Sequence, residues 1–178
     1  RGEFVRAYRL AKQSLELSRA CNDRSGVAAQ CANLGLLHRR CGQFEKAERW
    51  TRRALQMDEA LGRDEAVARD LGNLALIHRA KGEREIAERL LARAAEINTR
   101  IGCLEGLAND YANLGQVFGE RGDAATARKY HEASRELEER LGRGEGLARS
   151  HHSLGLICYS CGDTAGAERH WESAAELF

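Results

Sequence analysis

Apolar residues return along this chain at two spacings, one short and one long. The short spacing is three or four residues. Leu34, Leu74, Leu114 and Leu154 follow Cys31, Leu71, Tyr111 and His151 by three. Leu37 and His38, Ile77 and His78, Val117 and Phe118, and Ile157 and Cys158 follow in turn, which draws one stripe down a helical face. A glycine closes each stripe, at Gly42, Gly82, Gly122 and Gly162, and can take the left-handed conformation that ends one helix and starts a tight turn. A second helical stretch follows and stops near Gly62, Gly102 and Gly142. The pattern predicts first helices of roughly four turns and second helices of roughly five.

The long spacing is 40 residues. Copies align without gaps at 26–65, 66–105, 106–145 and 146–178. Residues 1–25 match the second half of a unit, with Gly2 answering Gly42 and Ala7 answering Ala47. A fixed period of this size predicts a single solenoid over 1–178, because one unit cannot bury its apolar face alone. The chain starts mid-unit without an initiator Met, so it is expected to be a segment of a longer protein, with its last unit truncated. Ala47, Ala87, Ala127 and Ala167 in the second helices are expected to let paired helices approach closely, as are Gly35, Ala75, Gly115 and Gly155 in the first.

Composition narrows the classes. Formal net charge is +1, charged residues are 31%, aromatics 6%, and proline is absent. There is no strong field for nucleic acid and no apolar run long enough to span a membrane, so neither partner is expected. Six cysteines follow the repeat rather than a bridging pattern. Cys31, Cys41, Cys158 and Cys161 fall on helical positions as small apolar residues, which predicts a reducing, cytoplasmic setting. Glu45 with Arg49, Glu48 with Arg52 and Glu85 with Arg89 are four apart and read as solvated ion pairs worth about 0.3–0.5 kcal/mol each. Arg outnumbers Lys 24 to 4, in keeping with a GC-rich bacterial genome.

The retained letters resemble a tetratricopeptide repeat. Cys31, Leu34-Gly35, His38, Ala47 and Thr51 fill its positions, as do Tyr111, Leu114-Gly115, Phe118, Ala127 and His131. The 40-residue unit and the missing terminal proline resemble the LGN/Pins and kinesin-light-chain variants. The resemblance implies an all-α, right-handed superhelical solenoid of antiparallel helix pairs, with first helices lining a concave wall. It implies a protein-interaction scaffold that binds a peptide or partner segment there. The alternative is a regulatory or sensor segment of a larger bacterial signalling protein, its groove filled intramolecularly or used for oligomerisation.

Carried over position by position, the wall would comprise Asn33, Leu36, Arg39, Arg69, Asn73, Leu76, Arg79, Asn109, Asn113, Gln116, Arg149, His152 and Leu156. In peptide-binding relatives an Asn at the position of Asn33, Asn73 and Asn113 bonds a ligand's main chain, since an amide offers donor and acceptor. The arginines favour carboxylate-bearing partners, so an acidic and apolar peptide is expected. Leu36, Leu76 and Leu156 stand where LGN-type repeats usually carry Asn, which makes this wall greasier.

Other groupings are weaker as chemistry. Cys158-Tyr-Ser-Cys161 and His38-Arg-Arg-Cys41 carry metal-like spacing, but they sit three units apart and read as packing. His131 and His151 are expected to approach one another where the third and fourth units meet. No phosphate loop and no nucleophile with a base is present, so no catalytic residue, cofactor or metal is predicted. Tyr8, Leu10, Leu15 and Leu17 lack a pairing helix ahead of them and are expected to be uncovered, favouring homo-oligomer contacts through the solenoid ends.

Overall fold

The structure, a computed structural model, describes residues 2–177. Nine helices occupy them: α1 (Gly2–Ala20), α2 (Arg24–Arg40), α3 (Phe44–Ala60), α4 (Asp64–Ala80), α5 (Arg84–Ile101), α6 (Leu104–Glu120), α7 (Ala124–Leu141), α8 (Gly144–Ser160) and α9 (Thr164–Ala175). No strand occurs among the described residues. The architecture is all-α, built from helix pairs. First and second helices are nearly equal in length, 17 residues in α2 and α4 against 17 and 18 in α3 and α5. The first helices therefore run further than the stripe alone predicts, because each starts two residues ahead of its copy boundary.

A left-handed residue closes every connection, and in all but the first it is glycine. Gly42, Gly62, Gly82, Gly102, Gly122, Gly142 and Gly162 all have positive φ. In each pair-closing turn the amide five residues on donates back to a helical carbonyl, as from Gln43 N to His38 O at 2.9 Å and from Asp163 N to Cys158 O at 3.0 Å. Asn22, with φ 54°, occupies the place that Gly62 takes one period later, and asparagine is among the few side chains that tolerate it. Asp23, Asp123 and Asp163 then cap the following helices through Oδ1, accepting from Gly26 N, Thr126 N and Gly166 N at 2.8–3.0 Å.

The chain forms two compact units, the first ending at Ile97 and the second beginning at Asn98. In the first, α1 packs on α2, α2 on α3 and α3 on α4, and α2 also meets α4. Leu15, Val27, Cys31, Leu34 and Ala54 form one core cluster, and Leu55, Val67, Leu71, Leu74, Ile77 and Ile97 another. In the second unit α6 packs on α7, α7 on α8 and α8 on α9, burying Leu107, Leu114, Val117, Leu137, Leu154 and Ile157.

The small residues sit where expected. Ala47, Ala87, Ala127 and Ala167 are fully buried. A methyl on Gly35 would strike Thr51, one on Gly115 would meet His131 Nε2 at 2.7 Å, and one on Gly155 would strike Trp171. Where the first helix carries Ala75 instead, the residue 16 positions on is the compact, buried Leu91.

Two readings need correction. Leu15 is fully buried and Tyr8 is half-buried with its ring 5.5 Å from that of His38, because α2 covers this face of α1. Leu10 and Leu17 stay open, at 55% and 68% exposure. Cys31 and Cys158 are buried as expected, but Cys41 and Cys161 are exposed at helix C-caps, because the glycine turn lifts the last helical residue out of the core.

Candidate peptide-binding surface

The thirteen wall residues fall on four first helices, and none lies in the core. In the first unit, α2 carries exposed Asn33 and Leu36 and half-buried Arg39. Helix α4 carries exposed Arg69 and half-buried Asn73, Leu76 and Arg79. In the second, α6 presents Asn109, Asn113 and Gln116, all half-buried, and α8 presents Arg149, His152 and Leu156, all exposed. The register explains this: Leu34, Leu74, Leu114 and Leu154 point into the core, and the residues one before and two after them turn away from it.

The two surfaces differ in charge. In the first unit α2 meets α4, and Arg79 comes near enough to Arg39 to disfavour its charge. Burial first, then Arg79 and Arg40, hold the Arg39 guanidinium below the ordinary arginine value. Arg39 Nε is buried without a hydrogen-bond partner. Asn33 Nδ2 donates to Gln30 Oε1 at 3.3 Å, a long bond between exposed groups that a ligand can displace. The second unit offers apolar area instead. Leu156 is 52% exposed and Tyr159, three residues on, is 62% exposed, its ring 5.9 Å from Trp171. Tyr159 stands at the register of Arg39 and Arg79, one turn beyond Leu156.

Two buried histidines fasten helix ends. His38 Nδ1 lies 2.8 Å from Gln43 Oε1, and His78 Nδ1 pairs with Glu83, each bond tying a helix end to the turn after it. Glu48 of α3 reaches Arg52 at 2.9 Å and Lys81 at 3.1 Å. Burial alone would raise its carboxyl, but the bonds from Lys81 and Arg52 hold it low. One predicted ion pair is thus part of a cross-helix network.

His131 is buried against Gly115, and desolvation pushes it down to about 4, so it is neutral. The ring that His151 meets is not His131 but His170, with their Nδ1 atoms 3.0 Å apart, because α8 and α9 form one hairpin. Burial lowers both rings, joined by Arg135 at His151 and by His151 and Arg135 at His170. Among the described residues no three His, Cys, Asp or Glu side chains gather to hold a metal. No helix among them is long and apolar enough to cross a membrane.

Comparison with known proteins places this geometry. The tetratricopeptide repeat family model matches residues 27–100 and 106–178. Among solved structures, BtubC (BKLC) from P. vanneervenii is 25% identical with a TM-score of 0.85, over 99% of this chain and 73% of that one. MamA is 22% identical with a TM-score of 0.69, over 99% and 89%. A putative kinesin light chain with nearly identical TPR-like repeats, from Podospora anserina, is 17% identical with a TM-score of 0.74, over 99% and 87%. No curated protein matches the sequence. With the helix pairs, the small-residue crossings and both spans of the family model in agreement, the chain belongs to the tetratricopeptide repeat family, whose repeats are non-catalytic modules of protein–protein interaction.

Proposed function

We propose that this chain is a protein-interaction module whose first helices receive a peptide or partner segment with acidic and apolar side chains. The observation that carries this is the Arg39–Arg79 pair. Arg79, on the neighbouring first helix, acts on Arg39 as a like charge, and Arg39 keeps a buried, unbonded Nε. A carboxylate there would relieve like-charge repulsion and accept forked hydrogen bonds. Exposed Arg69 widens the same basic face on α4. In the second unit the half-buried amides Asn109, Asn113 and Gln116 suit a ligand's main chain, and exposed Leu156 and Tyr159 suit its apolar side chains. Six free thiols support a reducing, cytoplasmic setting.

Fluorescence anisotropy with labelled peptides of mixed Asp, Glu and Leu content tests the reading. Replacing both Arg39 and Arg79 by Ala should weaken binding at least about tenfold, or about 1.4 kcal/mol. Unchanged affinity in that double variant would refute the carboxylate-binding role.

A further inference from the structure

Where one hairpin follows another, each of three junctions buries a polar pair at a single register: Asp58 with Asp70, Asn98 with Asp110, and Glu138 with Ser150. The chemistry differs sharply among them. Asn98 Nδ2 donates to Asp110 Oδ2 at 2.8 Å, so an amide serves that acid. Glu138 has Arg143 Nε at 3.4 Å, and Ser150 shares its hydroxyl contact with Ser134 at 3.4 Å. Only Asp58 and Asp70 set two carboxyl groups face to face. Both are 0% exposed, and they are close enough for the Asp58 charge to act on Asp70. None of their four oxygens accepts a hydrogen bond from another group.

Two buried carboxylates in contact repel strongly, whereas an acid and a carboxylate bond to each other. Arg63 Nη1 lies 3.2 Å from Asp58 Oδ1. Asp70, on α4, has Arg69 beside it and Arg63 further off, both opposing the shift without reversing it. From α2, Cys31 faces the same interior, its thiol raised by burial, while Arg53 of α3 and Arg19 and Lys12 of α1 act on it more weakly.

We propose that the α3–α4 junction holds one proton on Asp70, where it faces the buried Asp58, and that this junction loosens when the proton leaves. Burial, and then the Asp58 charge, raise Asp70 from the usual 3.8 to about 7. The unfolded chain releases this proton near its ordinary value, so between pH about 4 and 7 the folded chain holds one more. The stabilisation is complete at the acid end and disappears as pH climbs through 7. Asp110, also raised to about 7 by burial, adds a similar slope in the second unit but has the Asn98 amide to serve either form.

Carboxyl carbon NMR on the full chain, with Asp70→Asn to assign the signal, tests the proposal directly. The Asp70 resonance should titrate near 7. Asp70→Asn should melt about 4–8 °C above the unsubstituted chain at pH 8.5, about half as far above it at pH 5.5, and within about 1 °C of it at pH 3.5, given the usual few degrees per kcal/mol at this size. A midpoint below 5, or no gain at pH 8.5, would overturn it. If Asp70→Asn does not fold, Asp58→Asn serves: the Asp70 midpoint should then fall as the facing charge is removed, and an unmoved midpoint would reject the proposal.

Discussion

The two units solve one packing problem with different side chains, and their junctions show how. In the second unit Glu138 is long, and the residue eight places on is Gly146, where a methyl would strike the Glu138 carboxyl. At the start of the second unit, Asn98 likewise faces Gly106, where a methyl would meet its amide at 2.6 Å. In the first unit the shorter Asp58 leaves room for Ala66, which is buried. Length on one helix is matched by absence on the next, so the junction is a fitted polar layer whose register repeats even though its charge does not. The first unit consequently stores a proton, and the second an ion pair.

The largest effect that separates the units should come from acid. His131 of the second unit is held near 4 by burial, whereas the equivalent residue of the first is Thr51, which does not titrate. Its folded value lies below the unfolded 6.5, so this stabilisation is present above 6.5 and lost as pH falls towards 4. His131→Leu should recover about 2–3 kcal/mol at pH 4 relative to pH 7, measured by urea melts at both pH values. Equal pH dependence in the two proteins would place the acid lability elsewhere.

A swap of junction sizes sharpens the comparison further. Gly146→Ala alone should cost about 1–2 kcal/mol by crowding Glu138. Adding Glu138→Asp, which gives the second unit the side-chain lengths of Asp58 and Ala66, should restore most of it in a double-mutant cycle. Strict additivity would mean the two positions are not fitted to each other. The smallest effect lies at Asn22. Asn22→Gly, copying Gly62 and Gly142, should add about 0.5 kcal/mol, and Asn22→Ala should remove about 1 kcal/mol, both read from thermal melts.

The apolar half of this architecture was legible residue by residue. The Leu34 register, the glycine turns and the Ala47 series are dictated by period, and they fix which residues face away from the core, Arg39 and Leu156 among them. The polar interior was not. Asp58, Asp70 and Glu138 look like surface charge in any reading that assigns acids to water, and their burial depends on a partner 12 residues away across a turn. The signal was present: Asp, Asn and Glu recur at 58, 98 and 138, in step with Asp70, Asp110 and Ser150. The network of Glu48 lies beyond local spacing for a related reason, since Lys81 approaches from the turn that closes α4. His151 was paired with the wrong ring because a hairpin contact within α8 and α9 outranked one imagined between units.

Every turn after the first closes through one left-handed glycine, and those glycines recur at 20-residue intervals from Gly42 to Gly162. Such uniform joints make the hairpin a unit of exchange. A segment excised between matching glycines, 40 residues apart, leaves a splice with native backbone geometry on both sides. Lineages can thus lengthen or shorten the array by whole copies, and what limits them is whether the newly adjoining helices bring compatible side chains to the polar layer.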